Sequence, residues 1–438
     1  MSDAGSLDIW SSLGLADNPY NSLPVSSDEL GEKLLVGREK ELRALSMSLL
    51  NLNIHPTLEG GNGVGKTSLV SVAGYRLFKS YKFEHAKLVI PLLNNFQLTI
   101  GENLSAFRVK VLLQVVQALI ANHELLETRG LAVPELAIVE GWRRTLRSVG
   151  VLPVDQSERA DSAGGREDTS ELAGVIDDVK TWLENNFPNP SSGFFLCVID
   201  NLELLETSGE AKALLEEMRD EILNIAGLRW VLCGARGIVR SVASTGRLVG
   251  FLGDPISIAP VGDEHIEALI QARLNAFKIN ENVFAPVEVE GFLKLYHIGH
   301  KNLRIAMKYC QDFTLASLIA GEDFAQLDSA AKLRLLDAWL SKIAELTLQD
   351  TTIRKRAWAV FDALIAQGGT VRPSDFPEFG FKSYQAMIPH LQSLSEANLI
   401  ESVVDNADAR KKTISMLPLG WVVGHQRSRQ KAEDVGDI

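Results

Sequence analysis

Cysteine is scarce: three in 438 residues, Cys197, Cys233 and Cys310. No two of them stand at a metal-ligand spacing, and all three fall in expected strands or a helix, so they read as buried apolar thiols and neither a zinc site nor a disulfide is expected. The eight histidines are scattered and support no metal centre either. No apolar run approaches the eighteen residues of a membrane-spanning helix, and the first residues lack both the basic region and the apolar stretch of a secretory leader. The expectation is a cytoplasmic protein with no membrane partner. Basic residues are outnumbered, 44 Lys and Arg against 56 Asp and Glu, a formal net charge of −12. That balance excludes a general nucleic-acid coat, so any contact with DNA must be local. With 46% hydrophobic and 23% charged residues, the chain has the composition of a globular protein and length for two or three domains.

The most specific stretch is Gly60, Gly61, Asn62, Gly63, Val64, Gly65, Lys66 and Thr67, followed by Ser68 and a helix-like run to Phe78. It meets the Gly-x4-Gly-Lys-[Ser/Thr] pattern of a phosphate-binding loop at every specified position. Glycines let successive backbone amides turn inward, and the helix start adds its partial positive charge at the same point. Lys66 is expected to neutralise β- and γ-phosphate oxygens and Thr67 to hold Mg2+, which makes ATP and Mg2+ the expected cofactors. The strand before the loop, 55–59, is short and not very apolar, with Pro56 tolerable only at its start.

A second strand, 194–200, is a continuous apolar run of the kind buried in parallel sheets, and it ends in Asp200. Asp200 is the expected carboxylate beside the loop, acting on the metal. Asn201 follows, where hydrolytic enzymes of this type place a glutamate that orients water. Glu203 is the nearest substitute, and two readings stay open for it: a catalytic carboxylate, or an acid that caps the next helix. A third strand, 228–233, leads through Gly234 and Ala235 into Arg236. This resembles AAA+ and related ATPases, where a polar residue at the tip of that strand reads the γ-phosphate, and by that resemblance Arg236 is the candidate sensor. Arg240 and Arg247 just beyond are candidates for an arginine lent to a neighbouring protomer's γ-phosphate.

Between loop and acidic strand, the pattern predicts a strand at 87–92 and helices at 104–126, 135–149 and 172–187. A polar, small-residue loop is expected over 153–170. Further on come a strand-like 254–260, a helix at 263–277 with an acidic first turn, and a helix entered through Gly299 to Ala306. From about residue 351 the pattern becomes helix 353–367, a short element at 374–379, helix 383–398, and paired strands at 399–404 and 413–417. Pro389 is expected to kink the second long helix or delay its start.

Asn18-Pro19-Tyr20 together with Leu34-Leu35-Val36-Gly37-Arg38-Glu39 resembles the opening of origin-recognition initiators, STAND ATPases and transposon AAA+ regulators. This resemblance to AAA+/STAND P-loop ATPases runs from Asn18 to about Val423. It implies that Val36, Gly37 and Arg38 line the adenine pocket and that Arg304 is a second sensor reaching the phosphates from a lid. The implied fold is α/β: a three-layer P-loop NTPase core with a parallel sheet, a helical lid and a C-terminal winged helix-turn-helix. The corresponding domains are 1–260 with the loop near 153–170, 261–350, 351–425, and a polar tail at 426–438. The implied function is an ATP-binding, ATP-hydrolysing switch acting on duplex DNA or on a DNA-bound partner, with a protein partner or self-oligomer. In that picture Lys382 and Gln385 sit at the start of the groove-reading helix and Arg410, Lys411 and Lys412 at the wing tip. The alternative is a STAND-like signalling ATPase whose winged helix docks protein and binds no DNA, since bases and acids nearly balance there. A metabolic kinase would leave the lid and winged helix unexplained.

Overall fold

The structure is a computed structural model that describes residues 8–51, 54–82, 87–148, 169–189, 191–205, 208–235, 237–244, 246–349, 353–404 and 412–436. The chain divides into two compact units, one comprising 24–61 and 65–259, the other 1–23, 62–64 and 260–438.

The first unit is built on a parallel sheet: β1 (Thr57–Gly60), β2 (Leu88–Pro91), β3 (Phe96–Gln97), β4 (Gly193–Asp200), β5 (Leu228–Gly234) and β6 (Ile256–Ile258). The order is β2-β4-β5-β1-β6, with the short β3 also paired to β4 near its end. Every residue of β1, β4 and β5 is buried, as strands covered on both faces must be. Alternation sends Phe195, Cys197, Ile199, Trp230 and Leu232 to one face, where they meet Phe107, Leu112, Val116 and Trp182 of the covering helices. Because the strands are parallel, the C-terminal ends of β1, β4 and β5 lie along one edge. The phosphate loop, Asp200 and the turn after Gly234 therefore share that edge.

Local chemistry accounts for the departures from the sequence reading. The expected helix 104–126 is two helices, Leu104–Ala121 and His123–Thr128. Asn122 separates them: its backbone leaves the helical region and its Nδ2 donates to the Ala118 carbonyl at 2.9 Å, the local competition that makes asparagine a helix breaker. By length and composition Leu104–Ala121 could cross a membrane, although no uninterrupted apolar run had suggested it. Here Phe107, Val111, Leu112, Val115 and Leu119 are buried in the core. The expected loop at 153–170 lies outside the described residues except for its last two positions, which open the helix Thr169–Asn186.

In the second unit, helices Ile266–Phe277, Val289–Ile298, Leu303–Ile319 and Ser329–Gln349 pack together. The N-terminal segment is anchored among them. Tyr20 is fully buried and its hydroxyl donates to the Val287 carbonyl at 2.7 Å, while Arg273 donates to the Pro19 and Asn21 carbonyls. Toward the C-terminus follow the helix Lys355–Ala366, β7 (Thr370–Val371), a 3-10 turn Pro373–Phe379, the helix Tyr384–Glu396, β8 (Ile400–Val404) and β9 (Lys412–Met416). The three strands form an antiparallel sheet in the order β7-β9-β8. Pro389 lies inside the helix without delaying it, because Ser383 caps the start by accepting from the Ala386 amide. Beyond β9, the helix Pro418–Gly436 occupies most of the stretch expected as a polar tail.

Candidate nucleotide site

The phosphate loop has a conformation only glycine adopts freely. Gly63 and Gly65 have φ of +75° and +93°, in the left-handed region that side chains resist. Gly65 is also the N-cap of the 16-residue helix Lys66–Tyr81 and supplies no side-chain cap. The first amides of that helix are thus available to an anion. Lys66 is only 6% exposed; its Nζ donates to the carbonyls of Gly60 at 3.0 Å and Gly61 at 3.1 Å, which fold the ammonium back over its own loop.

Thr67 and Asp200 meet directly. The Thr67 hydroxyl donates to Asp200 Oδ2 at 2.5 Å, and Oδ1 of the same carboxylate accepts the Asn201 amide at 2.9 Å. Asp200 is buried, so two residues 133 positions apart in sequence form one oxygen-rich corner beside the loop. Among the described residues no three His, Cys, Asp or Glu side chains gather to hold a metal by themselves. A threonine hydroxyl, one carboxylate and the phosphates of a bound nucleotide are the donors Mg2+ takes in such sites, so the residues present fit a nucleotide–Mg2+ pair.

Asn201 has φ +56° and turns the chain into the 3-10 helix Leu202–Leu205, which carries Glu203. Glu203 Oε2 accepts the Ala235 amide at 3.0 Å, which ties the tip of β4 to the tip of β5. One carboxylate oxygen is thus fixed at the edge where β1, β4 and β5 end. Arg236, the next residue after Ala235, lies outside the described residues.

The sequence reading missed the support beneath the loop. Glu59 in β1 is 1% exposed, and its Oε1 accepts from Ser257 Oγ at 2.6 Å and from Arg240 Nη2 at 2.7 Å. That carboxylate joins β1, β6 and the helix Ile238–Ala243. The poor apolarity of the strand before the loop was the available sign. Arg240, a candidate for a neighbouring protomer's phosphate, is held here within its own chain, and Arg247 pairs likewise with Asp220 at 2.9 Å.

The segment upstream of β1 is stitched to the phosphate-loop helix. The Val25 amide donates to Ser68 Oγ, the Ser27 hydroxyl donates to the Ser71 carbonyl, and Arg76 bridges Glu32 and Glu39. Val36 is half-buried, Gly37 has φ +73°, and Arg38 is buried with its guanidinium on Glu41. Arg304 belongs to the other unit, exposed in the first turn of the helix Leu303–Ile319. Burial pushes the thiols of Cys197 and Cys233 well above their ordinary range, which removes them from any nucleophilic role.

A glycine loop closing on a buried lysine, a strand order that places β5 between β1 and β4, and a carboxylate on the loop threonine decide the class. The core is a P-loop nucleotide-binding fold. No protein-family model matches the chain, and no curated protein does. Solved structures similar to it include the ORC1 protein of Aeropyrum pernix in complex with DNA, at 12% identity over 95% of this chain and 98% of that one, TM-score 0.43. The ORC2 protein of the same organism, in ADPNP–ADP complexes, matches at 12% identity over 95% and 100%, TM-score 0.44. Drosophila ORC bound to DNA matches at 12% identity over 96% and 92%, TM-score 0.42. Likenesses at this level say nothing about activity; the nucleotide assignment stands on the residues.

Proposed function

We propose that this chain is an ATP-binding and ATP-hydrolysing switch of the AAA+ initiator kind, which acts on DNA or on a DNA-bound partner. The observation that carries the nucleotide part is the convergence of Lys66, Thr67 and Asp200 at one sheet edge, with the threonine hydroxyl bonded to the carboxylate. In this reading Gly60 to Ser68 cradle the phosphates, Lys66 neutralises their β/γ oxygens, and Thr67 and Asp200 hold Mg2+. The metal supplies charge neutralisation on the phosphates when bound. Glu203 orients a water and accepts its proton as the water oxygen bonds to the γ-phosphorus; the bond from that phosphorus to the β–γ bridging oxygen breaks and ADP leaves with that electron pair. Val36, Gly37 and Arg38 frame the base, and Arg236 and Arg304 are the candidate phosphate sensors.

Helix, short strand, 3-10 turn, helix and hairpin, in that order and closed by a three-stranded antiparallel sheet, support a winged helix-turn-helix at the C-terminus. Its second long helix, Tyr384–Glu396, would enter the major groove, with Lys382 and Gln385 at its start. A second reading has its own support. That helix, YQAMIPHLQSLSE, contains no lysine or arginine, which suits a module that docks protein in a STAND-like signalling ATPase. The test is duplex capture by the intact chain at low salt, with ATP and with ADP. Nucleotide-dependent capture is the expected result. No capture in either state, with ATP still bound, would transfer the assignment to the signalling reading.

A further inference from the structure

The crest of the phosphate loop, Asn62 to Val64, belongs to the same compact unit as the helix Leu303–Ile319. Asn302 caps that helix, its Oδ1 accepting the Ile305 amide at 3.2 Å. The other end of the same side-chain amide reaches the loop, where Nδ2 donates to the Asn62 carbonyl at 3.0 Å. The approach is so close that a Cβ at Gly63 would lie 2.2 Å from Asn302 Oδ1.

The turn that delivers Asn302 is strained and held in place. His300 and Lys301 both have left-handed backbones, φ +54° and +58°, which residues other than glycine resist and which persist where the surroundings fix them. Here they are fixed from two sides. Lys301 Nζ pairs with Asp263 at 3.0 Å, a carboxylate that His297 also contacts at 2.9 Å. The His300 ring stacks on Trp421, with centroids 4.9 Å apart and planes 12° apart. The amides of His300 and Lys301 donate back to the carbonyls of His297 and Tyr296.

Peptide geometry says what the contact does. In a trans peptide the C=O and N–H point in opposite directions, so a carbonyl held toward Asn302 turns the Gly63 N–H away from it. Glycine takes either sign of φ, and the peptide before Gly63 can therefore turn over at little steric cost. A reversed peptide would set a carbonyl oxygen where an anion needs a donor. We propose that Asn302 is a positioning residue of the phosphate loop: it locks the Asn62–Gly63 peptide so that the Gly63 amide stays available to a phosphate oxygen. The proposal rests on the nucleotide reading of this loop and gives Asn302 no contact with the nucleotide itself.

The test is Asn302→Ser in the full chain. Serine caps a helix as well as asparagine does but is too short to reach the Asn62 carbonyl. Calorimetry should show ATP with Mg2+ bound about five- to tenfold more weakly than by the parent, the worth of one hydrogen bond, at an unchanged Tm. A second readout looks at the peptide directly. Asn62-Gly63 is the sole Asn–Gly pair in the sequence, so carbonyl-13C asparagine with 15N glycine labels one peptide, and its carbonyl carbon should move upfield when the donor is removed. An unmoved resonance, or undiminished ATP affinity beside a parent that binds ATP, overturns the proposal and leaves Asn302 a helix cap. A parent that binds no ATP overturns the nucleotide reading and the proposal together. If Asn302→Ser fails to fold, Asn302→Asp, which also caps but offers the carbonyl no donor, is read on the same resonance with the same two outcomes.

Discussion

Glu203→Gln separates the catalytic role of this residue from its structural one, because the glutamine can keep the bond the structure shows. The Ala235 amide donates to a single oxygen of Glu203 at 3.0 Å, and the glutamine Oε1 can accept it in the same place. The substitution exchanges a charge-assisted hydrogen bond for a neutral one, a loss of about 1 kcal/mol or less in stability. What it removes completely is the carboxylate's capacity to orient and deprotonate water. A positioned general base contributes about 10²–10⁴ in rate, or roughly 3–5 kcal/mol of barrier. We expect ATP affinity within about twofold of the parent, phosphate release slowed at least about a hundredfold, and a nearly unchanged urea midpoint. Asn201→Gly is the matched control: it keeps the positive φ that alanine would strain and should lower turnover far less. Undiminished phosphate release by Glu203→Gln would refute the catalytic reading and leave Glu203 as the tie between β4 and β5.

Arg240→Ala should destabilise the chain by about 1 kcal/mol, a modest figure because the arginine is itself largely exposed. If urea midpoints were unchanged while turnover fell, Arg240 would belong to a neighbouring site after all. Stability should decline as pH falls through the window from about 6.5 toward 3. Burial, with Arg229 nearby, brings the His55 imidazole down to about 3 in the fold, and it titrates near 6.5 when unfolded, so the unfolded chain binds the extra proton throughout that window and gains from it. His55→Asn, which keeps an acceptor for the Trp230 amide, should flatten the decline by up to about 1.4 kcal/mol per pH unit; an unaltered slope would assign the acid sensitivity elsewhere. Replacing Arg410, Lys411 and Lys412 together with alanine should weaken duplex binding without sequence preference and reduce its salt slope by up to about three. An unchanged slope would remove the wing from the interface.

Much of the candidate nucleotide site was legible because its chemistry is local in sequence. A glycine loop, its lysine and threonine, and an apolar strand closed by an aspartate are contiguous runs, and β4 and β5 carry their burial in their composition. The contacts that join the runs were not legible. Nothing in the spacing ties Glu59 to Ser257 and Arg240, which sheet order brings together, nor Ser68 to the amide of Val25, which meet where the upstream segment packs on the loop helix. Short elements escaped for a different reason: β7 has two residues, too few for any periodicity. The break at Asn122 was present as a residue type but was outweighed by the apolar pattern running through it.

The central claim is that the Gly60–Ser68 loop binds ATP with Mg2+, and calorimetry of ATP into the intact chain and into Lys66→Ala tests it most directly. One phosphate charge about 4 Å from the Lys66 ammonium is worth about 4 kcal/mol at an effective dielectric near 20. By the same reckoning, losing the lysine weakens affinity by roughly three orders of magnitude. The account predicts saturable, Mg2+-enhanced binding by the parent chain and no measurable binding by Lys66→Ala with its thermal unfolding little changed. Equal ATP affinity in the two proteins would contradict it.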